Sequence, residues 1–325
     1  MINAAIVGLG RWGKLHVQST QGKSTRVRFV RGVDKAPDAL RDFAAQHGFS
    51  LCSDLAQALA DPTIQAVVLA TPHSLHREQV VASARAGKQV FCEKPLALNQ
   101  ADALAMIEAC RSAGVVLGVG HHRRLWPSMR ELKRSVASGV LGEILHVEGN
   151  YSNEHSNNAG GTWRDSPAES PGGGMTGAGL HILDAFVNLI GPVRRVQGQL
   201  LVRKPPPAPL DTAAVLLQFA NGVSGMIATV RATPAFWRVH VFGSLGSAEA
   251  IGEHELVIRG SGAQPARRVF EPVDALLTEL DAFADAIEGR APFPIPVAQM
   301  VDTVAAFEAI VEALESGATV ALDAP

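Results

Sequence analysis

Cysteine is scarce in this chain of 325 residues: there are three, Cys52, Cys92 and Cys110, and no C-x-x-C pair. An odd count of separated cysteines argues against a disulfide framework. It fits small buried thiols in a reducing compartment, so a cytoplasmic location is expected. An excess of charge of either sign is also missing. The formal net charge is -2 and the isoelectric point about 6.6, so no strong field draws nucleic acid or an anionic membrane. No apolar run approaches the length of a membrane span. Met1 leads directly into a strand-like segment, without a basic segment and small-residue cleavage site, so no signal peptide is expected. Glu154, His155, His181 and Asp184 lack a zinc-ligand spacing, and no metal is expected. Internal repeats are absent.

What is present is apolar residue in quantity: 47% hydrophobic against 18% charged. That composition supports sizeable cores, and the length exceeds what one core normally holds, so two domains are expected. The first third alternates short apolar strands with helical segments. Ala66–Leu69 is a continuous apolar run, as in parallel strands covered on both faces. Pro37 opens a helix that Gly48 ends, and Asn99 caps another that Gly114 stops. This cadence predicts a doubly wound, mostly parallel sheet over residues 1–121. Beyond it the pattern changes. Pro127 opens a helix, Glu143–Tyr151 alternates, and residues 151–174 are polar and aperiodic. A helix is expected over residues 179–190. Strands follow over 193–202, 212–219, 223–232 and 236–242, with Asn221-Gly222 as a hairpin turn. Shorter strands near 248–251 and 256–259 and closing helices over 274–288 and 297–315 complete residues 122–325. That part is α+β, with a large, mostly antiparallel open sheet.

Gly8-Leu9-Gly10-Arg11-Trp12-Gly13 sits between a predicted strand and a predicted helix. Gly8 permits the tight turn, Gly10 the approach of a pyrophosphate, and Gly13 close packing of helix on sheet. The anion then rests on the N–H groups at the helix start. This is a Rossmann signature for a dinucleotide. Asp34 ends the second strand about 20 residues on, where a carboxylate holds adenosine ribose hydroxyls and repels a 2′-phosphate. NAD is therefore favoured. Lys35, adjacent, keeps NADP as the alternative.

Thr71-Pro72-His73-Ser74-Leu75-His76, Glu93-Lys94-Pro95, and the glycine-rich run before His181 follow this loop in order. Together they resemble the glucose–fructose oxidoreductase/inositol dehydrogenase (Gfo/Idh/MocA) family over essentially the whole chain. The resemblance implies an NAD(P)-dependent oxidoreductase that moves hydride between nicotinamide and a secondary alcohol or ketone of a sugar, cyclitol or related hydroxy compound. It implies Lys94 and His181 as catalytic residues, a cis bond before Pro95, and a cofactor wall drawn from Thr71, Pro72, His73, His76, Glu93 and Lys94. His73 stands where the family often has asparagine. His76 is open between that wall and a surface helix start. Arg123 resembles an arginine bordering the family's active site. Arg124 is expected to be solvated or at a domain interface.

Asp184, one helical turn after His181, is expected either to orient the imidazole and contact substrate or to support a domain interface. Trp163 is a candidate platform for a sugar ring, with a buried core position as its alternative. Asn153–Asn158 is a candidate substrate lid. The family often carries an aspartate four residues before its histidine, where this sequence has Gly177. That departure keeps open a non-catalytic dinucleotide-sensing regulator, and the resemblance itself leaves a second alternative, NAD-dependent glycoside hydrolysis by transient oxidation as in some relatives. The resemblance also implies a homodimer or homotetramer through the second-domain sheet.

Overall fold

A computed structural model describes residues 1–154, 162–206 and 209–322. It divides into two compact units. One comprises Met1–His122 with Asp274–Met300; the other comprises Arg123–Val273 with the chain from Val301 onward.

The first unit holds six strands: β1 (Ile2–Val7), β2 (Val27–Val33), β3 (Ser50–Cys52), β4 (Ala66–Leu69), β5 (Gln89–Glu93) and β6 (Leu117–Gly120). All pairs are parallel, in the order β3-β2-β1-β4-β5-β6, the doubly wound arrangement expected. Every residue of β4 is buried, which is why its sequence shows no alternation. The helix ends follow their local chemistry. Asn99 accepts from the Asp102 amide at 2.8 Å, and Gly114 closes the same helix in the left-handed region. The helix Ala275–Ile287 belongs to this unit because its apolar face, Leu280, Phe283 and Ala284, completes the core around Phe29 and Phe91. Arg26 fixes its far end, donating to Asp285 and Glu288 at 2.7 Å each.

The second unit holds β7 (Ile144–Asn153), β8 (Val193–Lys204), β9 (Leu210–Phe219), β10 (Ser224–Arg231), β11 (Phe236–Gly243), β12 (Gly246–Ile251), β13 (Glu255–Gly260), β14 (Ala266–Val269) and β15 (Val320–Ala321). They form one sheet in the order β14-β13-β12-β11-β7-β10-β9-β8-β15. It is antiparallel except where β10 lies parallel to β7. The edge strands β14 and β15 were not expected. The first is wholly exposed and the second has two residues, so neither carries an apolar alternation to read. Helices cover one face. Gly149 on β7 lets the helix Leu180–Leu189 lie close, since a Cβ there would sit 2.1 Å from Ile182. On the opposite face Leu201, Leu216, Val230 and Phe236 are exposed.

Candidate active site

The glycine loop is built for an anion. Gly8 has φ +85°, and a Cβ on Gly13 would lie 2.0 Å from the Gly8 carbonyl oxygen, so both are fixed by the turn itself. Gly10 differs: a Cβ there would meet nothing within 4 Å. The protein's own packing does not require glycine at that position, whereas a close-lying pyrophosphate does. Gly10 is also the N-cap of the helix Arg11–Thr20 and offers no side-chain acceptor to its first N–H groups. The loop therefore fits a dinucleotide phosphate. Asp34 accepts from the Leu9 amide at 2.8 Å and the Ala36 amide at 3.0 Å, which holds its carboxylate at the end of β2. Arg11 and Lys35 are exposed, and Trp12 is half-buried with its ring centroid 5.5 Å from that of His122.

The next two loops are tied together by His76, which is fully buried, so the surface alternative is excluded. Its Nδ1 lies 2.8 Å from the Pro95 carbonyl and its Nε2 3.1 Å from that of Thr71. Burial pushes the imidazole pKa below its ordinary value, the contacts to Pro95 and Thr71 opposing it. A neutral ring has one N–H to give, and the Pro95 contact is the shorter. Thr71 is held further by its hydroxyl, which donates to Gln79 at 2.6 Å. Pro72 is half-buried, and His73 is buried with its ring edge-on to His76.

Lys94 is half-buried at the carboxyl end of β5 and precedes Pro95 through the cis bond that the resemblance implies. That end of a parallel sheet is where such folds hold ligands. Behind it lies Glu93, which is buried: Oε1 is 2.6 Å from His16 Nε2, and Oε2 accepts from the Lys94 amide at 3.2 Å. Burial alone would raise this carboxyl. The His16 hydrogen bond and the charges of His16, His122 and Lys94 overcome it and hold the pKa at about 2. Gly120 on β6 makes room, since a Cβ there would be 2.9 Å from the carboxylate. Glu93 thus anchors the segment that presents Lys94. His16 was missed in the sequence; its signal was a polar residue on the buried face of the first helix.

In the second unit a π-helical turn, Met175–Gly179, leads into the helix that carries His181, which is buried. The preceding glycines serve the backbone. Gly172 and Gly173 have positive φ, and the Gly174 amide donates to Asp211 at 3.1 Å, whose other partner is Arg231 at 2.7 Å. Gly177 is exposed, and a Cβ on it would meet nothing within 4 Å. Arg124 corrects the expectation of a solvated charge. It is buried, and its guanidinium donates to both Asp184 oxygens at 2.6 and 2.8 Å. Asp184 is accordingly the buried counter-charge of Arg124. Arg123 stacks over Trp126, Tyr151 and Trp237, its centre 4.6, 4.1 and 4.6 Å from the ring centroids. Trp163 is half-buried under the Arg164 guanidinium at 4.1 Å. His155 and Asn157, with most of the candidate lid, lie outside the described residues.

All three cysteines are buried; burial raises the Cys110 thiol to about 11 and the Cys92 thiol well above its ordinary value, as structural thiols require. Among the described residues no helix is long and apolar enough to cross a membrane.

Residues 2–121 match the oxidoreductase family with an NAD-binding Rossmann fold, and residues 129–249 match the GFO/IDH/MocA C-terminal domain. Myo-inositol 2-dehydrogenase of Thermotoga maritima is 31% identical over 258 residues, covering 74% of this chain and 72% of that protein. The NAD(+)-dependent scyllo-inositol 2-dehydrogenase of Bacillus subtilis is 28% identical over 257 residues, covering 76% and 72%. Among solved structures, levoglucosan dehydrogenase in complex with NADH and L-sorbose superposes with a TM-score of 0.88 over 99% of both chains at 23% identity, a likeness of fold. With both domains matched in order, the chain belongs to the Gfo/Idh/MocA family of NAD-dependent oxidoreductases.

Proposed function

We propose that this oxidoreductase interconverts a secondary alcohol and its ketone on a sugar or cyclitol, using NAD. The observation that carries the reading is the mounting of Lys94: the buried Glu93 carboxylate and the buried His76 hold the backbone of Glu93-Lys94-Pro95 at the carboxyl edge of the sheet that also bears the glycine loop. Bound at the glycine loop, NAD would supply the acceptor, and NADH the donor, of the hydride exchanged with the carbinol carbon. Lys94 takes the hydroxyl proton as the alcohol is oxidised and returns it on reduction, with His181 as the second catalytic residue. Asp34 receives the adenosine ribose hydroxyls and disfavours a 2′-phosphate, while Arg11 and Trp12 flank the phosphates. The named activities of the relatives supply the substrate class.

A cytoplasmic location and a homodimer or homotetramer belong to the same proposal. The latter is supported by the exposed apolar residues on the open face of the second sheet, among them Leu216 at 54% exposure. The test is net formation of NADH from NAD with myo-inositol, scyllo-inositol and levoglucosan, which also separates redox turnover from glycoside hydrolysis and from sensing. Lys94→Ala is expected to lower kcat by about 10²- to 10⁴-fold while NADH still binds. Turnover that survives in Lys94→Ala refutes the assignment.

A further inference from the structure

The chain has one tyrosine, Tyr151, and its surroundings are those of a working group. It stands opposite Trp237 in the register of β7 with β11, on the helix-covered face, with ring centroids 5.6 Å apart. Arg123 fills the aromatic box that these rings form with Trp126. Cages of this kind attract cations through the ring faces, and here the protein supplies its own. The same guanidinium donates to the Tyr151 hydroxyl oxygen at 2.5 Å. A guanidinium only donates, so the phenol oxygen must accept, and its single proton has to point elsewhere. Among the described residues that O–H donates to nothing, and the side chain is half-buried. Its ring lies edge-on to His181, centroids 6.3 Å apart. Four residues before His181, where the family often places an acid, Gly177 faces open space.

We infer that the Tyr151 hydroxyl, aimed by Arg123, is a substrate-binding donor that gives a hydrogen bond to an oxygen of the polyol held at His181. The inference rests on the proposed polyol reading. It assigns Arg123 as a positioning residue, since its guanidinium is occupied by the cage and the phenol.

Tyr151→Phe keeps the ring stack and removes only the hydroxyl. Expected is a drop in kcat/KM of about 10- to 100-fold for whichever of myo-inositol, scyllo-inositol or levoglucosan the enzyme oxidises, with NADH affinity unchanged and a melting temperature lower by a few degrees, since the Arg123 guanidinium loses its acceptor. Because there is one tyrosine, biosynthetic fluorotyrosine gives one 19F resonance. That line is expected to shift when myo-inositol is added to the NADH-saturated protein. Arg123→Lys, which keeps the charge but loses the planar fork, is expected to move the line before any polyol is added and to raise KM more than it lowers kcat. Turnover in Tyr151→Phe within twofold of the parent, while Lys94→Ala is inactive, overturns this inference and leaves the Lys94 reading intact. A resonance indifferent to polyol also overturns it. A resonance that shifts in a protein showing no turnover with any of the three overturns the redox reading and sustains the Tyr151 contact.

Discussion

Replacing His16 with phenylalanine tests whether Glu93 is a buried, ionised anchor. Phenylalanine keeps an aromatic ring beside Phe91, with which His16 packs edge-on at 5.7 Å, and deletes the nitrogen 2.6 Å from the carboxylate. Glu93 is held at about 2 against an ordinary 4.5. A displacement of about 2.5 units corresponds to roughly 3 kcal/mol of folding stability at 1.36 kcal/mol per unit. The sign follows from the folded value lying below the unfolded one. The contribution is full above pH 4.5 and is lost as pH falls toward 2. Without His16 only the Lys94 amide and the charges of His122 and Lys94 oppose burial, so most of the 3 kcal/mol should vanish at neutral pH. For a unit of this size that is a fall in melting temperature on the order of 10 °C.

Thermal melts at pH 7, 4.5 and 3 by circular dichroism provide the assay. The parent should lose stability steeply on the acid side, and His16→Phe should begin lower and fall less. The double variant His16→Phe/Glu93→Leu should recover much of the neutral-pH loss, since replacing both members of a buried pair by apolar groups is far less costly than removing one. A variant that melts with the parent at pH 7, or that keeps the parent's acid sensitivity, refutes the argument.

The glycines of the first loop should separate by role. Gly13→Ala forces a Cβ within 2.0 Å of a backbone oxygen and should cost about 3 kcal/mol or more, whereas Gly10→Ala should melt like the parent and weaken NADH binding by about tenfold or more, read by fluorescence titration. Arg124→Met removes the buried guanidinium paired with the Asp184 carboxylate and should destabilise the second unit by about 3–5 kcal/mol in urea unfolding, while Arg124→Met/Asp184→Leu should be much milder.

Much of the first unit was legible because local chemistry there decides the outcome. Proline at 37, asparagine at 99 and glycines at 48 and 114 sit where helices begin and end, and the uninterrupted apolar run 66–69, too short for a helix and closed by Thr71-Pro72, is a strand buried along its whole length. The glycine loop was legible for the same reason, whereas Lys94 in Glu93-Lys94-Pro95 was singled out only by the family resemblance. The second unit was less so. Its edge strands β14 and β15 are paired by geometry and not by pattern, and the π-turn before His181 depends on contacts such as Gly174 with Asp211, which lies 37 residues away.

His122, Arg123 and Arg124 show where sequence reading stops. The three are consecutive and basic, and nothing local distinguishes them. His122 pairs its ring with Trp12 and adds to the field that keeps Glu93 ionised. Arg123 is enclosed by rings from positions 126, 151 and 237, and Arg124 is neutralised by Asp184 sixty residues on. What sorts them is the partner each finds after folding. A buried cation is tolerated only where an anion or an aromatic face has been placed to receive it. The receiving groups come from distant strands and helices, so the chemistry of the triplet is a property of the fold. It follows that an arginine beside a catalytic segment need not hold substrate itself: with its guanidinium spent on a phenol, Arg123 passes that task to Tyr151.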